Sequence, residues 1–171
     1  DTTNSIKQAA EFGIVRGGQK LAGLLMTLAE VNGLGLEAAQ GLVLTEGFYW
    51  DHDDKSRAFS ERFFKRTGRM PSMIHAGTYS ATLSYLKAVK AAGTKDSDAV
   101  AKKLKELPVD DAFAQGKVQE NGRMVHDLYL FEVKKPSESK GRWDDYKLLA
   151  TVPGDQAFQP LADSRCPLVK K

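Results

Sequence analysis

The chain is poor in the residues that build covalent and metal scaffolds. It has one cysteine and three histidines in 171 residues. Cys166 has no partner within the chain, so it forms no internal disulfide and supplies too few thiolates for a zinc site. It is either a free thiol or the partner of a cysteine outside this chain. His75 and His126 stand alone, with no second His, Cys or acid at ligand spacing, so no metal is expected. No apolar run approaches the ~20 residues of a membrane helix. Charge of one sign is also lacking: 25 Lys and Arg face 22 Asp and Glu, a net +3. That balance argues against a nucleic-acid binder, which concentrates base on one face. The basic clusters at Arg62–Arg69 and Lys102–Lys105 have helical or turn spacing and read as solvated surface. Ser72, Ser80 and Ser84 have no nucleophile elbow around them, and Arg16-Gly17-Gly18-Gln19-Lys20 lacks the spacing of a phosphate loop. Catalysis and a cofactor are therefore not expected.

What is present is the composition of a folded protein, 42% apolar and 27% charged. The length allows one ordinary domain or parts of two. The opening on Asp1, without Met, reads as a fragment or a processed product. Thr2, Thr3 and Asn4 offer capping oxygens for a helix to about Phe12, with Ile6, Ala9 and Ala10 on its apolar stripe and Gly13 as its stop. Lys20–Met26 is an apolar run of strand length. Thr27–Gly35 reads as the loop at its C-terminal end, followed by a short helix at Leu36–Gln40. Gly41–Thr45 is the next buried strand and opens into the aromatic run Phe48-Tyr49-Trp50.

Three helices then follow without a strand between them. Asp53 or Asp54 caps the first, which runs to Arg66 before Gly68. The second runs from about His75 to Ala92, with Ala76, Tyr79, Leu83, Leu86 and Val89 as its inward stripe. The third is capped by Asp96 and Ser97 and ends at Leu107, before Pro108. Beyond it, Asn121-Gly122 predicts a hairpin between Lys117–Glu120 and Met124–Val133. His126–Val133 is apolar on both parities, so both faces should be covered. Lys134–Arg142 is a polar loop, Tyr146–Val152 a last strand, and Pro153–Lys171 an irregular tail. Strand–helix alternation in the first half implies a parallel sheet. A first helix with no preceding strand and three helices in succession imply about half of a larger α/β fold.

Five stretches carry a family resemblance. DTTNSIKQAAEFGI, QKLAGLL and LGLEAAQGLVLTEGFYWD resemble the second lobe of type I periplasmic binding proteins of the leucine/isoleucine/valine and amide class. RTGRMPSMIHAGTYSATLSYLKAVKAAGT resembles the helix pair with which such proteins return to the first lobe, and KVQENGRMVHDLYLFEVKKP the hairpin that crosses between lobes. The resemblance implies an α/β periplasmic binding protein type I fold, two Rossmann-like lobes, with only the C-terminal portion present. Residues 1–47 then belong to the second lobe, 48–115 are the returning helices of the first, and 116–171 are the inter-lobe hairpin, last strand and tail. It implies an exported protein, with a signal peptide in its precursor, that carries a small carboxylate to the membrane subunits of an ABC-type importer. The missing N-terminal half of the same protein completes the site, and nucleic acid is not a partner.

The resemblance also implies ligand contacts. Asp1 and Thr2 lie at the start of the first helix, before which the family places an Asp or Tyr that touches ligand; a plain cap is the other reading. Thr27 and Glu30 lie at the C-terminal end of the first strand, where the family places a carboxylate that accepts the ligand ammonium; an exposed loop glutamate is the alternative. Phe48 and Tyr49 either wall the cleft or pack the core, and Tyr79 either reaches the cleft or is a core tyrosine. The ligand is a branched-chain amino acid or an aromatic acid, towards which the adjacent aromatics lean. A sensory domain with the same fold is the rival reading.

Overall fold

In chain order the elements are α1 (Thr2–Glu11), β1 (Ala22–Gly23), α2 (Leu28–Leu34), α3 (Leu36–Ala39), β2 (Val43–Glu46), α4 (Asp54–Thr67), α5 (Met73–Ala92), α6 (Ser97–Glu106), β3 (Pro108–Asp110), β4 (Gln115–Lys117), β5 (Leu128–Val133), β6 (Tyr146–Val152) and α7 (Gly154–Ala157). They are seen in a computed structural model that describes residues 1–169; Lys170 and Lys171, the end of the expected tail, lie outside the described residues. β1 and β2 are parallel, as strand–helix alternation requires. β5 pairs antiparallel with β2, and β6 with β5, giving the order β1-β2-β5-β6. β3 and β4 form a separate two-stranded ribbon.

The sheet carries the main core. Leu44 and Glu46 alternate onto one face of β2, each 1% exposed. Leu44 joins Met26, Leu28, Val31, Phe131, Val133 and Tyr146 in one apolar cluster that also takes in Ile6 of α1. A second, smaller cluster holds Phe48, Phe59 and Ala76 where α4 and α5 meet.

The helices α4 to α6 start and stop on local chemistry. The Asp53 carboxylate accepts from Ser56 N (2.7 Å), and Gly68 ends α4 in the left-handed region. Asp96 accepts from Ala99 N at 2.9 Å to begin α6. α5 starts at Met73, not at His75: Ser72 is its cap, and the His75 ring turns back so that Nδ1 accepts from Ser72 N (3.1 Å).

Several expectations need correction. The first strand is two residues long, because Leu24 and Leu25 turn out to solvent, 99% and 71% exposed. The stretch expected as a loop after β1 holds the helix Leu28–Leu34; Thr27 caps it and Glu30 completes a capping box. Asn121-Gly122 does make a turn, with Gly122 N bonded to Gln119 O at 2.9 Å, but the ladder stops at one bridge, Val118–Met124. β4 pairs instead with β3, a strand that Pro108 concealed, and β5 joins the main sheet. Tyr79 and Leu86 are not inward on α5: they are 41% and 57% exposed, while Ala76, Ser80 and Ala88 are buried. The tail is not wholly irregular, since α7 and a 3-10 turn at Leu161–Asp163 interrupt it.

Candidate functional site

The chain leaves the sheet after Glu46 as Gly47-Phe48-Tyr49-Trp50, and these aromatics join the two clusters. The Phe48 ring meets Phe59 edge-on at 5.9 Å. Tyr49 turns the other way, 5.4 Å from Phe131 and 5.1 Å from Tyr146. Its hydroxyl donates to Trp143 O (3.1 Å), and Trp50 Nε1 donates to the same carbonyl (2.8 Å). Trp143 holds a left-handed backbone, φ 76°, to present that oxygen.

Beside this crossing lies a cavity of about 470 Å³. Its walls are the segment 47–49, the first turn of α4, residues 111–115 and the segment that leads into β5. Two glycines let the walls close up. A Cβ on Gly47 would fall 2.8 Å from His126 Cε1, and one on Gly154 2.9 Å from His126 O. Rings share the lining with Asp53, Asp54, Lys55, Asp111 and Asp127: Phe113 lies 4.7 Å from His126, and His52 lies 4.1 Å from Tyr129.

The lining carboxylates are engaged. Asp127 Oδ1 accepts from Gly154 N at 3.0 Å. Burial pushes the Asp53 carboxyl up, but the bonds from Ser56 outweigh it, and its pKa lies below the ordinary value. Burial raises the Tyr129 phenol, helped by the charges of Asp127 and Asp53, so its O–H remains a donor near neutral pH. Rings set among fixed polar and charged groups suit a small ligand with both an aromatic or apolar part and polar atoms. Among the described residues, no group of three His, Cys, Asp or Glu side chains is placed to hold a metal, and no helix is long and apolar enough to cross a membrane.

Glu46 sits at the root of the crossing. Tyr146 Oη donates to its Oε1 (2.7 Å), and Met73 N, at the first position of α5, donates to its Oε2 (3.4 Å). Leu28 N–H at the start of α2 points to it as well. Burial lifts its pKa to about 7 against the pull of these donors, and Glu30 adds to the rise.

Of the expected contacts, Phe48 and Tyr49 line the cavity. Glu30 Oε2 accepts from Thr27 N at 2.7 Å and from the Thr27 hydroxyl. Asp1 and Thr2 are exposed, and Asp1 makes no side-chain cap bond. Tyr79 lies in a separate shallow groove with Phe59, Arg62, Phe63 and Arg66. His52, Asp53, Phe113, His126, Asp127 and Tyr129 reach the cavity without having been singled out as contacts. They come from three distant stretches, and His126 was set aside because no partner stood near it in sequence.

A family model described as periplasmic binding protein matches residues 1–142. The chain is 52% identical to a periplasmic binding protein of Burkholderia mallei of known crystal structure, over 99% of this chain and 45% of that one, with a TM-score of 0.91. It is 45% identical to a branched-chain amino acid ABC transporter periplasmic ligand-binding protein of Burkholderia xenovorans LB400, over 99% of this chain and 46% of that one, TM-score 0.88. A solute-binding protein of an ABC transporter from Rhodopseudomonas palustris BisB5, solved with 3,4-dihydroxybenzoic acid, shares the fold at 24% identity, 89% and 42% coverage and a TM-score of 0.76. No curated protein matches the chain.

Proposed function

The chain belongs to the periplasmic binding protein family, a family of solute-binding proteins and not of enzymes, and from that premise we propose that it is part of the extracytoplasmic solute-binding component of an ABC-type importer. It spans 45% and 46% of the length of the first two matched structures, so the complete site draws on more chain than is described here. In this reading residues 1–47 are part of one lobe, 48–115 are helices of the other, and 116–171 carry the second crossing. The apolar side chains on the open face of α5, Ile74, Tyr85 and Leu86 among them, are where the rest of the protein packs. The setting is the periplasm, and the membrane subunits of the importer are the partners.

The ligand is a small carboxylate. The observation that carries this is the ring-lined cavity at the crossing, within a chain of a solute-binding family. Its rings favour an aromatic acid over an aliphatic amino acid. Phe48 and Tyr49 are this chain's share of the wall, with His52, Phe113 and Tyr129 beside them. Asp1, Thr2, Thr27, Glu30 and Tyr79 are contacts that the complete, closed protein would recruit. A ligand at a hundred times its Kd stabilises its binder by about 2.7 kcal/mol. Thermal-shift screening of the full-length protein against benzoates, phenylpropanoids and branched-chain amino acids tests the proposal. A rise in Tm with a carboxylate of either class is expected, the larger with an aromatic acid. No shift with any of them would overturn it.

A further inference from the structure

A carboxylate that is 1% exposed at an inward position of a strand is an expensive choice, and among the described residues no lysine or arginine pairs with Glu46. Its surroundings are donors from different parts of the fold. Tyr146 belongs to β6, on the far edge of the sheet from β1, and its hydroxyl is 2.7 Å away. Met73 N opens the 20-residue helix α5, outside the sheet, at 3.4 Å. Leu28 N–H opens α2. The first N–H groups of a helix have no partner within it, and the N-terminus of a long helix favours negative charge. Glu46 therefore offers α5 what its own cap does not: Ser72 and His75 serve each other, and Met73 N is left to Glu46.

We propose that Glu46 is a positioning residue that ties the N-terminus of α5 to the sheet, and so fixes where the helical part meets the sheet beside the cavity. The ionised carboxylate accepts from Tyr146 Oη and Met73 N together, with Leu28 N–H turned towards it. Protonation turns one oxygen into a donor, which the Tyr146 hydroxyl can accept and an N–H cannot. The bond lost is therefore the longer of the two, that to Met73 N. The titratable groups around it are Glu30 from α2, Tyr146 at the start of β6 and Tyr129 opposite Glu46 on β5, with Asp145 and Tyr49 next to Tyr146. α5 contributes its backbone, because the His75 ring is turned onto Ser72. Burial places the Glu46 transition near neutrality, at about 7, so release falls within reach of ordinary conditions.

The bond pattern does not require the transport reading; only its bearing on ligand capture rests on that reading. Hydrogen exchange on the full-length protein, without ligand, tests it. Wild type and Glu46→Gln, which keeps the size and removes the charge, are compared at Met73 and Leu28 from pH 5.5 to 8.5. At the alkaline end, Met73 protection in Glu46→Gln should fall about tenfold below wild type, the loss of one charge-assisted bond. Towards the acid end the two proteins should converge, with a midpoint near 7. Tyr146→Phe should retain the protection at Met73 and shift that midpoint. Equal protection in wild type and Glu46→Gln at every pH overturns the proposal. So does a loss spread evenly over all helices with no pH dependence, since a general packing role would produce it. Because no ligand is added, a failed ligand screen leaves this result standing.

Discussion

The sheet and the helices α4 to α6 bury apolar surface on different terms. Around the sheet, Leu44, Phe131, Val133 and Tyr146 are each 3% exposed or less and pack within one cluster that α1 and α2 also enter. Between α4 and α5 the buried apolar set is Phe48, Phe59 and Ala76, while Phe64, Ile74, Tyr85 and Leu86 remain 40% or more exposed. The helices hold their shape through caps and ends, Asp53, Ser72, Asp96, Gly68 and Gly93. The sheet holds its shape through a core. Local signals can specify a helix, but they do not say what its apolar face meets.

The largest test of this contrast is Phe131→Ala in the full-length protein. Its ring lies 5.1 Å from Tyr146 and 5.4 Å from Tyr49 with no room to collapse, so a loss of about 4 kcal/mol is expected by chemical denaturation. A loss below about 1 kcal/mol would mean the sheet cluster is not a tight core.

Glu46 gives the next effect. Its folded pKa of about 7 lies above the ordinary 4.5. Its contribution to stability is therefore whole below the unfolded value and is lost as pH rises through the folded one. Between those limits wild type should lose about 3 kcal/mol of global unfolding stability relative to Glu46→Gln, which has no carboxyl to ionise, while the local bond to Met73 N, read by exchange from the folded state, strengthens. Equal pH profiles in urea melts of the two proteins would contradict the burial of that carboxylate.

Leu86→Ala probes the open helical face. At 57% exposure the side chain should cost less than about 0.5 kcal/mol to remove if solvent is all it meets. If the rest of the longer protein covers α5, the cost rises to about 2 kcal/mol in the full-length protein. The larger value is expected. Smallest is Asp53→Ala, which removes the 2.7 Å bond to Ser56 N. It should cost about 1 kcal/mol and leave the sheet amides as protected as before.

The sequence was most readable where the signal is local. Asp96, Gly68 and Gly93 bound their helices as expected, because caps and left-handed ends act over one turn. It misled where a distant partner decides. Thr27–Gly35 carries Asn32, Gly33 and Gly35, the residues of a loop, yet Val31 and Leu28 find the core and a capping box starts a helix. Asn121-Gly122 signals a long hairpin, but β5 is taken by β2 and β6, a choice that turn chemistry alone does not encode. The cavity was half visible. Phe48 and Tyr49 stood out as a cluster, whereas His52, Phe113 and Tyr129 meet only through the fold. Glu46 gave no sign at all, because a glutamate at the end of a strand ordinarily faces water.

The proposed function requires the cavity beside the crossing to be this chain's share of a ligand site. The direct measurement is calorimetric titration of the full-length protein with whichever carboxylate raises its Tm, in wild type, His52→Ala, Phe113→Ala and Leu86→Ala. Removing either cavity ring should raise Kd about tenfold or more, as loss of a buried aromatic contact does, while Leu86→Ala should change it less than about twofold. Unchanged affinity in both His52→Ala and Phe113→Ala would place the ligand elsewhere and contradict the account.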